Sequence, residues 1–159
     1  TYLMNIFVLD YDPVKAAQMQ CDKHVVKMPL ETAQVLCTAF PKGKAPYKLT
    51  HFNHPCSIWC RESRENYNWL IEHGLALCDE YTYRYGKNHK SREVILWCEK
   101  NMNSIHFKKD RKTHFVLCFD NKFKIGNAVQ SYRYYYNQEK QKITQWNKSR
   151  SRPRWFTPY

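Results

Sequence analysis

Only four of the 159 residues are glycine, too few to turn a chain of this length through many short strands, so helices are favoured over β structure. Long hydrophobic runs are missing. The longest apolar stretches, such as Ile6–Leu9 and Phe115–Phe119, fall far short of the roughly 20 residues that a membrane-spanning helix needs. No charged-then-apolar leader with a small-residue cleavage site opens the chain, and there is no internal repeat or low-complexity linker. The expectation is a soluble, intracellular protein. The seven cysteines are odd in number and scattered, which excludes a fully paired secreted disulfide framework. Cys37, Cys60, Cys78 and Cys98 lie among apolar residues and read as reduced thiols packed in a core. Hydrophobic content of 43% and aromatic content of 16% exclude a disordered chain. The length suits one domain over 1–159 with a single core.

Acidic residues are scarce in one half only. Residues 1–83 carry eight basic and nine acidic side chains, whereas residues 84–159 carry 18 basic and five acidic ones. A solvated surface would mix the signs along the chain, and a one-sided field of this size recruits a polyanion. A membrane surface is the rival partner, but the basic half lacks a clean amphipathic anchor helix. Nucleic acid, held through its phosphates, is the expected partner, and no membrane is.

The pattern along the chain is mainly α. Met4–Leu9 is a short apolar strand or a buried terminal segment. Asp12-Pro13 reads as an N-cap and first helical residue, opening a helix to about Gln20. Asp22 caps a second helix to about Phe40, with Val26, Leu30, Ala33 and Cys37 as its apolar stripe and Pro29 as an expected kink. Residues 41–54 form a loop. Pro55 starts a long helical pattern to Tyr85, with a break expected near Ser63, a stripe at Leu70, Leu77 and Tyr81, and Gly86 as its C-terminal cap. Ser91–Lys100 is a further helix, 101–125 is basic and irregular, and Asn127 caps a last helix to about Ile143. Residues 147–159 form a basic, aromatic, extended tail.

Three groups of residues are candidates for chemistry. His24, Lys27, Glu31 and Gln34 fall at steps of three, four and three and share one helix face, with His24 and Glu31 about 10 Å apart along the axis. They are placed either to line a cleft or to form a solvated face with a Lys27–Glu31 ion pair. In the tail, Lys148, Arg150, Arg152 and Arg154 alternate with small residues or proline before Trp155 and Phe156. Arginines hold phosphate while aromatics stack on or wedge between bases; the alternative is a strap whose aromatics dock on the core. The run His51, His54, Cys56, Cys60 invites a zinc reading, but its spacing matches no familiar structural site, so no metal and no cofactor are expected. His54, Arg61 and Arg64 more plausibly edge a binding cleft, and the tyrosines of 132–136 read as core rather than as base-stacking platforms.

These residues carry a resemblance. Asp22-Lys23-His24 with Glu31 seven residues on, Asn53-His54-Pro55 leading into a helix with Trp69-Leu70 and Glu80 to Gly86, and the ending Arg152-Pro153-Arg154-Trp155-Phe156 together resemble the pyrimidine-dimer DNA glycosylases of the phage endonuclease V type. The matches touch about half the chain as scattered anchors. The resemblance implies a small, basic, mainly helical viral enzyme acting on double-stranded DNA, at pyrimidine dimers or a related modified base, with an unstacked or flipped base. It implies that the α-amine of Thr1 attacks the deoxyribose C1′ and forms a Schiff base, that Glu31 is the catalytic carboxylate, and that His24 supports the same site. An α-amine titrates near 7.7–8.0 against about 10.4 for lysine, so far more of it is a free nucleophile at neutral pH. Two departures stand against the family pattern: Thr1 lies further from the histidine, and Leu30 occupies the place of an arginine. Lys27, His54, Arg61, Arg64, Arg150, Arg152, Arg154 and Trp155 are the expected DNA contacts. Two other classes remain open: a non-catalytic nucleic-acid-binding or virion-associated protein, and a base-modifying transferase using the His24/Glu31 cleft.

Overall fold

Asp12 opens the first helix by accepting from the backbone N–H groups of Val14 and Lys15, with Pro13 at the position where a missing N–H costs nothing. The computed structural model of the chain describes residues 4–140 and 143–157. Its six helices are α1 (Pro13–Met19), α2 (Asp22–Cys37), α3 (Pro55–Glu62), α4 (Arg64–Tyr85), α5 (Ser91–Lys100) and α6 (Ala128–Glu139), with no strand among the described residues. The break expected near Ser63 is real. Ser63 is extended (φ −145°, ψ 146°), ends α3, and caps α4 through its hydroxyl, which accepts from Asn66 N–H. Gly86 closes α4 in the left-handed region at φ 69°, as glycine does at a helix C-terminus. Asn127 and Gln130 form a reciprocal capping box at the start of α6.

α4 is the central element, packing against α1, α2, α3 and α5. Gly74 lets it come close: a Cβ there would meet Thr32 Cγ2 of α2 at 2.9 Å and Ile95 Cδ1 of α5 at 3.0 Å. Leu70 and Leu77 are buried as the pattern predicts, and Tyr81 is half-buried. Residues 4–9 form no strand; Met4, Asn5, Ile6, Phe7, Val8 and Leu9 are an irregular but fully buried segment. Residues 105–125 lack regular structure apart from a 3-10 turn at Asn121–Phe123. α6 holds both irregular segments, because the Tyr132 hydroxyl bonds to Asn5 Oδ1 and Val116 O, each at 2.8 Å.

One expected helix face is corrected. Val26 and Leu30 are 42% and 41% exposed, although Ala33 and Cys37 are buried. The face of α2 that packs inward is His24, Val25, Met28, Glu31, Thr32, Val35 and Leu36. It lies roughly opposite the centre of the apolar stripe, at about 160° by 100° per residue, and carries the polar His24, Glu31 and Thr32. α2 runs through Pro29 without interruption and ends at Cys37, three residues before the expected Phe40.

The described part of the chain end, residues 146–157, is anchored on the core. Trp146 donates to Met19 O at 3.1 Å, Phe156 is buried, and Asn137 Nδ2 donates to Trp155 O at 3.2 Å. Beneath it lies a charge network invisible in the sequence. Buried Arg84 bonds Glu80 at 2.7 Å and Asp22 at 3.1 Å, and Arg150 adds two 2.8 Å bonds to the same Glu80 carboxylate. All seven cysteines are free, six of them buried and Cys118 half-buried, which bears out the reduced-thiol reading for the four helical ones.

Candidate active site

The buried N-terminal segment lies across the polar face of α2, and this contact builds the site. Phe7 takes a left-handed backbone (φ 50°), a conformation that costs a side-chain-bearing residue on the order of 1 kcal/mol. It stacks on the His24 ring at 4.3 Å between centroids and 15° between planes. The Nδ1 of His24 lies 2.5 Å from the Tyr136 hydroxyl of α6, which is itself in reach of Cys21 N–H at 3.1 Å. His24 is thus held on one face by Phe7 and on one edge by Tyr136.

Two turns along α2, Glu31 is only 3% exposed, and among the described residues neither carboxylate oxygen has a well-formed hydrogen bond, although the Asn5 backbone N–H faces it. Lys27 Nζ lies 3.6 Å away, one turn back on the same helix. Burial of the carboxylate raises its pKa from 4.5 to about 7, against the opposing pull of the Asn5 backbone N–H and the Lys140 cation. The raised pKa means that burial outweighs both. Burial, with Lys140, Lys27 and Lys23 adding to it, lowers His24 to about 3. At neutral pH the site therefore holds one neutral imidazole and one carboxyl group poised to give or take a proton. Lys27 is lowered from its ordinary value by partial burial and by Lys140 and Lys23.

The structure brings His24, Lys27 and Glu31 to one place, with His24 and Glu31 covered rather than lining an open cleft. Thr1 lies outside the described residues. Four residues join the site that the sequence did not single out: Asn5, Phe7, Tyr136 and Lys140, the last lying 6.0 Å from the Phe7 ring. None stands in a motif, since each arrives from a distant segment; only the burial of the Met4–Leu9 run hinted at a contact.

The other expected contacts fall elsewhere. His54 caps α3 by accepting from Cys56 N–H at 3.0 Å. Arg61 stacks over the exposed Phe52 ring at 3.8 Å and donates to Thr38 Oγ1 at 3.3 Å, near the far end of α2 from His24. Arg64 lies over Phe107 at 5.1 Å and 3.7 Å from Asp110. Arg61, His106, Lys108 and Lys109 line a cavity of about 630 Å³ on this side of the molecule. In the tail, Arg150 is engaged with Glu80, and Trp155 packs 6.0 Å from Tyr136 with its indole N–H on Met19 Sδ. Arg152 and Arg154 are exposed. The zinc-like run is divided: His54 and Cys56 meet Cys118, while the buried Cys60 is not part of that cluster.

The helical fold thus buries a raised carboxyl group beside two lysines. Sequence comparison gives the chain a family. The sequence model of the family described as pyrimidine dimer DNA glycosylase matches residues 4–93, more than half of the chain, and the chain belongs to that family. The family places it among DNA repair glycosylases, with DNA as substrate. The matched span contains His24, Lys27, Glu31, His54, Arg61 and Arg64; the basic tail lies beyond it. No curated protein and no solved structure gives a match.

Among the described residues, no helix is long and apolar enough to cross a membrane.

Proposed function

We propose that the chain excises the base at pyrimidine dimers in double-stranded DNA and then nicks the strand as an AP lyase, with Glu31 as the catalytic carboxylate. The observation that carries this reading is Glu31 itself, buried beside two lysines with a pKa of about 7 inside the family-matched span. An amine attacks C1′ of the damaged nucleotide, the glycosidic bond breaks, and the departing base takes a proton. The deoxyribose ring then opens: the C1′–O4′ bond breaks, O4′ takes a proton, and C1′ is left double-bonded to the amine nitrogen as an iminium. Loss of a C2′ proton then breaks the C3′–O bond by β-elimination, and water releases the amine. Ionised Glu31 stabilises the cationic sugar and then accepts protons, which suits a group titrating near neutrality. His24, neutral and clamped between Phe7 and Tyr136, is a positioning residue that fixes the N-terminal segment over Glu31.

The proposed nucleophile is the α-amine of Thr1. Residue 1 precedes Asn5 by four positions, an extended reach of roughly 13–14 Å at 3.3–3.6 Å per residue. A second reading is favoured by one contact: Lys27 Nζ already lies 3.6 Å from Glu31, and its pKa is lowered. Borohydride reduction on an abasic-site duplex, followed by peptide mapping, separates the two. An adduct on the peptide bearing Thr1 supports the α-amine, an adduct on Lys27 transfers the role, and tight binding without any adduct overturns the lyase.

A further inference from the structure

Away from Glu31, two segments 62 residues apart meet at the start of α3. Cys56 Sγ and Cys118 Sγ lie 3.3 Å apart, and a nitrogen of His54 completes a set of three donor atoms all within 4.8 Å of one another. It is the one such cluster of three or more histidine, cysteine or acidic side chains found among the described residues. We propose that His54, Cys56 and Cys118 form a zinc site.

The donor set and its spacing favour zinc over a disulfide. Tetrahedral zinc, with Zn–S about 2.3 Å and Zn–N about 2.0–2.1 Å, holds its donors roughly 3.4–3.8 Å apart. The sulfurs, 3.3 Å apart, need to open by about half an ångström and the widest donor pair, at up to 4.8 Å, to close by about one ångström to fit that geometry, whereas a disulfide needs the sulfurs to close to about 2.05 Å. A disulfide also gives the imidazole no part. The other close thiol pair, Cys37 and Cys98 at 3.9 Å, has no histidine in a comparable cluster. Two thiolates and one imidazole are the soft-to-borderline donors that select zinc over magnesium or calcium. Cys56 is buried, and His54 and Cys118 are half-buried, so the cluster sits at the rim of the core where an ion can enter. Three protein ligands leave a fourth position for water or for a ligand oxygen.

The placement gives the ion a task. Cys118 belongs to the irregular 105–125 segment, which is tied to the C-terminal end of α3 by a bridge between Ser63 and Lys109 and by the Thr113 hydroxyl on Glu62 at 2.6 Å, and which reaches the other end of α3 at Cys118. Its carbonyl accepts from Asn5 Nδ2 at 3.0 Å, and the backbone N–H of the same Asn5 faces Glu31. Zinc would staple this segment to the N-terminus of α3 and so hold Asn5 against the catalytic carboxylate. Cys118 lies outside the family-matched span.

The test uses the full-length chain purified under reducing conditions and dialysed against a weak chelator. Expected are one zinc retained per chain by elemental analysis and, after exchange with cobalt(II), thiolate-to-cobalt charge-transfer absorption in the near ultraviolet together with visible bands of tetrahedral intensity. Cys118→Ser, at the half-exposed position, should lose both the zinc and the charge-transfer band. Cys60→Ala, which removes a buried thiol outside the cluster, should keep them. His54→Ala should weaken the site by about tenfold or more. A Cys118→Ser protein that retains a full equivalent of zinc, a parent that retains none, or a Cys56–Cys118 disulfide in the peptide map of the parent each overturns the proposal. None of these readouts depends on glycosylase activity.

Discussion

Replacing Glu31 by glutamine should make the protein more stable at alkaline pH and inactive at any pH. The carboxyl is buried with no well-formed hydrogen bond among the described residues, and its pKa of about 7 exceeds the 4.5 of an exposed glutamate. Between those two values the folded state holds a proton that the unfolded state has released. The carboxyl therefore favours the fold at low pH, and that contribution is lost as pH rises through about 7. The shift of about 2.5 units corresponds to roughly 3 kcal/mol, since one unit is worth 1.36 kcal/mol. Most of it is felt by about pH 8, and less than about 1 kcal/mol at about pH 5. Glutamine keeps the shape and cannot ionise. Urea unfolding of parent and Glu31→Gln should therefore diverge by about 2–3 kcal/mol between these two pH values, with the variant gaining. Activity should fall by about 10²–10⁴-fold, the contribution typical of a positioned acid–base group. A variant that is less stable than the parent at pH 8, or a stability difference that does not change with pH, would refute the reasoning. So would full activity.

Three other outcomes follow from the same structure. His24 and His73 are held neutral by burial, at about 3 and about 4, below the 6.5 of an exposed imidazole. Their contribution is complete above pH 6.5 and is lost as pH falls, roughly 2 kcal/mol each by about pH 5. His24→Phe keeps the stack on Phe7 and should roughly halve the histidine part of the acid-side slope of unfolding free energy against pH. Arg150→Ala removes two bonds to the buried Glu80 carboxylate and should cost about 1–3 kcal/mol in thermal or urea unfolding. The exposed pair Arg152→Ala/Arg154→Ala should leave stability unchanged but flatten the slope of log K for duplex binding against log salt by about 1–2; an unchanged slope removes both arginines from the interface.

Local signals in the sequence carried the helices well. Asp12-Pro13, Ser63, Gly86 and Asn127 act at element ends through bonds to their immediate neighbours, so each boundary is legible in a few residues. The α2 stripe was not, and the reason is that polar side chains are buried on that helix. His24, Glu31 and Thr32 occupy the inward side, so apolar periodicity pointed to Val26 and Leu30, which are exposed. The site was half legible. His24, Lys27 and Glu31 share one helix face by simple arithmetic, whereas Phe7, Asn5, Tyr136 and Lys140 reach it only through tertiary packing. The tail shows the same division. Its arginines and aromatics were evident, but the pairing of Arg150 with Glu80, 70 residues earlier, required the fold.

The most direct measurement places one cyclobutane pyrimidine dimer at a defined position in an end-labelled duplex and asks whether the purified chain cuts there. The predicted result is cleavage at the dimer without alkali treatment, together with cleavage of the same duplex carrying an abasic site and none of the undamaged duplex. Equal binding to all three duplexes with no cleavage of any would contradict the account and leave a passive DNA-binding protein.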